Sequence, residues 1–277
     1  MKNLKEYGFK SKNLFYTIAE IGINHNGNLK NAIKLIKSAK KSGANSVKFQ
    51  TYTTEKRVSK NSPIFDILKK CELSQNDFKI IKSYADDIKI DFFSTPFDIE
   101  SVDFLNSIGV NKYKVSSFDI NNFDLLRKIA SKKKTVIMSI GMANIKEVNK
   151  AFKFLTKSKI KIAILHCISS YPLDPYDANL NVINRLKKNY NSIIGYSDHT
   201  NSIEVPLYAA SMGAQIIEKH FTINKRDKVV DKVVSIDEKQ MKKLSLELNK
   251  LSKILGSDYM GLRKSEKVAE QFKRKIR

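Results

Sequence analysis

The stretch YTIAEIGINHNGNLKNAIKLIKSAKKSGANSVKFQ, residues 16–50, decides the fold of this chain. Two short apolar runs, residues 16–21 and 46–50, are near-continuous, which is typical of parallel strands buried on both faces. Between them, apolar side chains recur at helical spacing at Leu29, Ile33, Ile36 and Ala39. Asn28 suits the N-cap of that helix, and Gly43 suits its end. The stretch therefore predicts a strand–helix–strand unit with an amphipathic helix.

The same alternation continues along the chain. Further apolar runs that predict strands lie at residues 91–94, 112–116, 135–139, 161–166, 192–196 and 214–219. Eight strands alternating with helices predict an α/β fold, the (β/α)8 TIM barrel, over residues 15–256. An open doubly wound sheet is the alternative. No GxGxxG string follows the first run, which argues against the dinucleotide-binding form of that sheet.

Two further segments flank the predicted barrel domain. Residues 1–14 form a polar, lysine-rich N-terminal extension, and residues 257–277 form a basic C-terminal tail. Residues 237–254 predict the last long helix, with Gly256 just past its end. The longest insertion, residues 51–73, follows the second strand and predicts a lid or rim loop.

The chain carries 51 lysines and arginines against 28 acidic residues, a formal charge of +23 that is typical of some nucleic-acid and lipid binders. The lysines are spread over the whole sequence and are not interleaved with aromatic residues, as a base-stacking surface requires. We therefore expect a solvated basic surface that steers anionic substrates, and no nucleic-acid partner.

Compartment and membrane contact are predicted from what the sequence contains. No apolar run approaches the ~18–20 residues of a membrane span, and the N-terminus lacks an apolar signal segment. Cys71 and Cys167 form no CxxC pair, so a reducing compartment without a disulfide framework is expected. These features predict a cytoplasmic protein with no membrane partner.

Polar residues cluster where the predicted strands end, which is where barrel enzymes carry their chemistry. The four histidines of the chain all lie at such ends, at His25, His166, His199 and His220. His199 and His220 end adjacent strands about 4.8 Å apart, so they could share a divalent ion such as Mn, Zn, Fe or Co. A catalytic or a hydrogen-bonded role for them stays open. Glu20 and Asp119 are candidate general bases.

Lys48 and Lys114 lie in otherwise apolar strands, and burying an unpaired ammonium group is costly. One explanation is a structural ion pair with Glu20, Asp119 or Glu218. The other is a phosphate or carboxylate site, which nearby hydroxyl groups favour. Those hydroxyls belong to Thr95, Ser117, Ser139, Ser169 and Ser197. No Walker loop is present, so a nucleotide-triphosphatase site is not expected.

Eight strings at the strand ends together resemble the sialic acid synthase family, which includes N-acetylneuraminate synthase and the legionaminate and pseudaminate synthases. They run in family order, as IAEIGINHNGNL (residues 18–29), VKFQTY (47–52), FFSTPFD (92–98), YKVSSFD (113–119), IMSIGMA (137–143), HCISSYP (166–172), GYSDHT (195–200) and GAQIIEKHFT (213–222). The resemblance implies a transferase that condenses phosphoenolpyruvate with an N-acetylated, N-acetylmannosamine-like amino sugar. The products are a nonulosonic acid and phosphate.

The resemblance also implies residue roles. Glu20 and Asp119 would handle protons and water, and His199 and His220 would hold a divalent metal, manganese being usual. By the same resemblance, phosphoenolpyruvate would be bound by Lys48, Thr95, Lys114, Ser117, Ser139, Ser169 and Ser197. The sugar would be contacted by Gln50, Tyr171 and Asp231.

Several positions depart from the family pattern and leave the sugar open. Asp119 stands where many members have glutamate, and Phe118 is similar to the pseudaminate branch, whereas INHNG favours the neuraminate and legionaminate branches. Family members usually continue into an antifreeze-like domain that supplies an arginine to the sugar, and we expect this chain to lack it. A homodimer is the implied assembly. A related synthase with a sugar-phosphate acceptor, or a non-catalytic barrel that binds RNA, are the alternatives.

Overall fold

A closed barrel of eight parallel strands, in the order β1 to β8, forms the centre of the computed structural model, which describes residues 1–274. The strands are β1 (Tyr16–Gly22), β2 (Ser46–Thr51), β3 (Asp91–Pro96), β4 (Lys112–Val115), β5 (Thr135–Ser139), β6 (Ile162–His166), β7 (Ile193–Asp198) and β8 (Ile216–His220). β8 pairs with β1, which closes the sheet. The predicted (β/α)8 barrel is confirmed.

Each strand is followed by a helix that packs on the outside of the barrel. The helices are α1 (Leu29–Lys41), α2 (Thr54–Arg57), α3 (Phe65–Cys71), α4 (Gln75–Asp87), α5 (Ile99–Ser107), α6 (Phe123–Ser131), α7 (Ile145–Thr156), α8 (Asn181–Asn189), α9 (Glu204–Ser211) and α10 (Glu238–Leu255). The short helices α2 and α3 lie in the predicted lid insertion. Asn28 caps α1 as predicted, and Asp237 and Gln240 form a capping box at the start of α10.

The predicted apolar face of α1 has the correct helical spacing, but the residues that are buried differ in part from those predicted. Ile36 and Ala39 are buried, but Leu29 and Ile33 are only partly covered. Ala32 and Leu35 are buried in their place, since α1 also contacts α4 and α10 on either side. The helix face is therefore set by its neighbouring helices as well as by the barrel.

Side chains along each strand alternate between the lumen of the barrel and the outer helices. The lower lumen is largely apolar and is filled by Tyr16, Ile18, Phe93, Ile137, Ala163, Leu165, Ile193 and Ile216. Its one buried ion pair among the described residues joins Lys112 to Asp91 beside the ring of Phe93. The upper lumen is charged, because Glu20 lies opposite both Lys48 on β2 and His220 on β8. Ser197 likewise lies opposite Glu218. Chemistry is therefore confined to the carboxyl ends of the strands.

Residues 1–14 close the amino-terminal end of the barrel. Leu4, Tyr7 and Phe9 are buried and pack in the same cluster as the lower lumen. The Phe9 ring lies 4.9 Å from the ring of Tyr16 in an edge-to-face arrangement. Residues 257–274, by contrast, are exposed along their whole length.

Within residues 1–274, no helix is both long enough and apolar enough to cross a membrane.

We predict that Phe9→Ala lowers the free energy of unfolding by about 3–5 kcal/mol, because it opens a cavity against Tyr16 at the sealed end of the lumen. Chemical denaturation followed by circular dichroism measures this change. Phe272→Ala is the matched control, since that ring is 76% exposed and its loss should cost less than about 0.5 kcal/mol. Equal effects of the two substitutions would contradict the role assigned to the N-terminal segment.

Candidate active site

A cavity of about 390 Å³ opens at the carboxyl ends of the strands. The predicted site residues that line it are Glu20, Lys48, Gln50, Thr95, Lys114, Ser117, Ser139, Tyr171, Ser197, His199, His220 and Asp231. Residues far apart along the chain therefore meet at one end of the barrel, as the sequence predicted. The volume suits a small polar substrate.

The two cavity lysines form a buried network with two glutamates. Lys48 Nζ lies 2.8 Å from Glu20 Oε2 and 3.9 Å from Glu218 Oε2. Lys114 Nζ lies 3.8 Å from Glu218 Oε1. Both lysines thus have the anionic partners that burial requires, from Glu20 and Glu218, and neither forms an ion pair with Asp119 among the described residues.

Protonation in this network is set by burial and by the opposite charges. Burial raises the pKa of Glu20 and outweighs the attraction of Lys48. Burial would also raise the pKa of Glu218, but Lys114 and Lys48 outweigh it and the net pKa is lowered. Glu20 is therefore the carboxylate of this layer that is better suited to exchange a proton near neutral pH.

Hydroxyl groups surround the lysines. Thr95 Oγ1 accepts a hydrogen bond from Lys48 Nζ at 3.1 Å, and Ser197 Oγ donates to Glu218 Oε1 at 2.9 Å. Ser139 Oγ is buried and has no hydrogen-bond partner among the described residues. An unsatisfied buried hydroxyl at the floor of a cavity is a ready donor to an anionic ligand.

The imidazoles of His199 and His220 face each other across the cavity, with ring centres 5.6 Å apart. His199 Nδ1 lies 2.6 Å from the carbonyl oxygen of Ile168, and burial lowers the pKa of His199 to about 4. His220 Nδ1 lies 3.2 Å from Asp231 Oδ2. Burial opposes protonation of His220, but Asp231 and Glu20 outweigh it and raise its pKa.

These two rings fit a borderline divalent metal ion. Nδ1 of His199 is hydrogen-bonded to the Ile168 carbonyl oxygen, which leaves Nε2 to ligate a metal, as is usual for metal-bound histidines. Nδ1 of His220 lies near Asp231 but makes no hydrogen bond within residues 1–274. Within residues 1–274, no three histidine, cysteine or carboxylate side chains converge as a ligand set. The chain would therefore supply two imidazoles, and water or substrate would supply the other ligands.

Some predicted residues lie outside the cavity lining. Ser169 stands behind it, with its Oγ 3.1 Å from Ser117 Oγ. Asp119 is partly buried in a 3-10 turn, where its Oδ2 has no described partner and burial raises its pKa. His166 Nε2 lies 2.9 Å from the carbonyl oxygen of Ala178, away from the cavity.

Sequence reasoning missed Arg57, which belongs to the cavity lining through α2. It also missed two further buried strand lysines, Lys112 and Lys219. These pair with Asp91 and Asp198 away from the cavity. Strand-end position alone does not distinguish a cavity-facing cation from a structural one.

Comparison with known proteins agrees with this geometry. Residues 35–259 match the NeuB family. N,N'-diacetyllegionaminic acid synthase from Campylobacter jejuni is 38% identical over 90% of this chain and 80% of that protein. N-acetylneuraminate-9-phosphate synthase from Mus musculus is 32% identical over 87% of this chain and 71% of that protein.

A solved structure shows the same relationship. N-acetylneuraminic acid (sialic acid) synthetase from Leptospira borgpetersenii superposes with a TM-score of 0.91 at 38% identity, over 93% of this chain and 90% of that chain. The chain belongs to the NeuB family and is a sialic acid synthase-like enzyme. The resemblance predicted from the strand-end strings is confirmed.

His25 provides a pH-dependent test of the site's surroundings. Its Nδ1 accepts the Gly27 N–H at 3.1 Å, its ring stacks on Phe49, and burial lowers its pKa to about 4. His25 therefore binds a proton near pH 6.5 in the unfolded chain, whereas in the folded chain it does so only near pH 4. Stability from neutral His25 is present above pH 6.5, and about 3 kcal/mol is lost as pH falls to 4.

We predict that His25→Asn, whose Oδ1 takes the position of Nδ1 and can still accept the Gly27 N–H, removes this dependence. The stability gap between wild type and variant should narrow by about 3 kcal/mol from pH 7.5 to pH 4. Urea denaturation at both pH values measures it. A gap that stays constant with pH would refute the assignment of a neutral His25.

Proposed function

We propose that the chain condenses phosphoenolpyruvate with an N-acetylated, N-acetylmannosamine-like amino sugar, giving a sialic, legionaminic or related nonulosonic acid and phosphate. One observation carries the proposal. The same cavity holds a buried lysine pair with hydroxyl donors and, beside it, a pair of imidazoles. An anionic donor and a carbonyl acceptor need these two kinds of group side by side.

The lysine side of the cavity suits phosphoenolpyruvate. Lys48 and Lys114 would hold its phosphate and carboxylate groups, and the unsatisfied hydroxyl of Ser139 would donate a further hydrogen bond. Glu20 and Glu218 balance the lysines when the site holds no anion. The raised pKa of Glu20 makes that carboxylate a suitable proton acceptor near neutral pH.

The histidine side suits the acceptor sugar. His199 and His220 would hold a divalent ion, for which we propose manganese. When bound, such an ion polarises the open-chain aldehyde oxygen of the sugar as a Lewis acid. Gln50, Tyr171 and Asp231 would contact the sugar, and Tyr171 already stacks on His199 with ring centres 4.1 Å apart.

The condensation then requires positioning and proton transfer. Carbon 3 of phosphoenolpyruvate attacks the aldehyde carbon, and the aldehyde oxygen takes up a proton to become a hydroxyl group. Water adds to carbon 2 and gives up a proton, and the tetrahedral intermediate expels phosphate with its bridging oxygen, which leaves a ketone at carbon 2. Glu20 in the cavity lining would take the proton of the water, with Asp119 as the second acidic group. Lys48 and Lys114 would stabilise the leaving phosphate throughout.

We predict that the acceptor is an unphosphorylated 2-acetamido sugar. With phosphoenolpyruvate and manganese, phosphate release should require a 2-acetamido sugar such as N-acetylmannosamine and should not occur with arabinose 5-phosphate. A coupled phosphate assay measures both reactions. Lys48→Met is the negative control, because it removes a charge that would hold phosphoenolpyruvate. Its rate should fall at least about 100-fold. Turnover with arabinose 5-phosphate alone would replace this proposal with a sugar-phosphate synthase.

We predict that His220 is needed to hold the metal ion. His220→Ala should lose about 100-fold or more of the metal-dependent rate, because one imidazole cannot hold the ion in place. Calorimetry should show weakened manganese binding and retained phosphoenolpyruvate binding, with an unchanged circular dichroism spectrum. His25→Asn is the matched control, as a strand-end histidine outside the cavity lining. Full metal dependence at the wild-type rate in His220→Ala would disprove the metal role.

A further inference from the structure

Arg57 brings a third cation to the cavity from the lid. It ends α2, and its guanidinium lies 3.7 Å from the ring centre of Phe97 and 4.7 Å from that of Tyr52. Nη1 donates to Gln50 Oε1 at 2.9 Å. Two aromatic rings and one hydrogen bond therefore hold the planar group in a defined orientation.

Most hydrogen-bond donors of Arg57 are unused within the chain. A guanidinium has five N–H groups, and the described contacts use one of them, toward Gln50. No carboxylate of residues 1–274 lies within 4.0 Å of it as an ion-pair partner. A partly buried, oriented and unpaired guanidinium in a cavity is built to bind an oxygen atom of a ligand.

The charges around Arg57 favour an uncharged oxygen. Asp119, Asp231 and Glu20 all lie close enough to act on its charge. The cavity lining as a whole carries three cationic side chains, Lys48, Lys114 and Arg57, against three carboxylates, Glu20, Glu218 and Asp231. With the proposed divalent ion bound, the lining would carry two net positive charges, which the carboxylate and phosphate groups of phosphoenolpyruvate already offset. A phosphate on the acceptor would add two further negative charges without a partner. A carbonyl oxygen adds none.

The surroundings of Arg57 also favour a group with an apolar end. Tyr52 and Phe97, which hold the guanidinium, pack with Leu68 and Ile23 in one apolar cluster. Ile23, Ile64, Ile67 and Leu68 line the same cavity. An acetamido group matches this pairing, since its oxygen accepts from a cation and its methyl group packs on apolar side chains.

We propose that Arg57 selects the acceptor by donating to the carbonyl oxygen of its acetamido group, and that the acceptor carries no phosphate. This inference rests on the proposed condensation and deepens it. Arg57 acts in binding the acceptor. Phosphoenolpyruvate stays with the lysines and hydroxyls at the floor of the cavity.

The test compares Arg57→Leu and Arg57→Lys with wild type in the phosphate-release assay. The acceptors are N-acetylmannosamine and N-acetylmannosamine 6-phosphate. Wild type should prefer the unphosphorylated sugar. Arg57→Leu should raise the acceptor KM about 10- to 100-fold and change the phosphoenolpyruvate KM less than about twofold, as expected for one charged hydrogen-bond donor. Arg57→Lys should recover little of this, because lysine lacks the planar fork.

Each negative result of this test would contradict a different part of the proposal. Absence of wild-type turnover with any 2-acetamido sugar would remove the proposed function itself. An active wild type with an unchanged acceptor KM in Arg57→Leu would remove only the role of Arg57. A raised phosphoenolpyruvate KM would place Arg57 on the donor, and a wild-type preference for the 6-phosphate that Arg57→Leu abolishes would show that it binds an anion. If Arg57→Leu fails to fold, Arg57→Lys retains the charge and stem and decides the same questions.

Discussion

The buried charge layer at the top of the lumen is the constraint on which the rest of the structure depends. Glu20, Lys48, Lys114 and Glu218 come from four strands and are almost fully enclosed. A charge in such a place is stable only when its partner is present, and removal of one partner typically costs about 3–5 kcal/mol. The layer therefore fixes the register of these strands and at the same time concentrates cations where an anion would bind.

The two ends of the lumen have different roles because their side chains differ in polarity. The lower half is a packed, largely apolar core around the Lys112–Asp91 pair, and the N-terminal segment covers it through Phe9. The upper half leaves hydroxyl, carboxylate, ammonium and imidazole groups around a cavity. The low dielectric constant of the packed half strengthens the electrostatic contacts next to it. The lower end of the barrel thus mainly provides stability and the upper end carries the reactive groups, as is usual for this fold.

The lid after β2 supplies what the strands cannot. Strand side chains alternate strictly, so each strand end offers one or two positions toward the cavity. Arg57 enters from the side, on a helix of four residues, and rests on Phe97 from the end of the next strand. Binding residues on loops can change without disturbing the scaffold, so a lid residue of this kind can set which sugar is accepted while the barrel stays the same.

The sequence by itself determined the barrel, its strand order and most of the cavity residues. Short buried strands alternate with amphipathic helices in local patterns that need no long-range information. Tertiary structure alone decided which buried charges face the cavity. Lys112 and Lys114 lie two residues apart on β4 and are both buried, but Lys112 pairs with Asp91 at the start of β3, whereas Lys114 lines the cavity near Glu218. The sequence did not predict Arg57 as a cavity residue, because its position depends on a contact with Phe97 that no local pattern encodes.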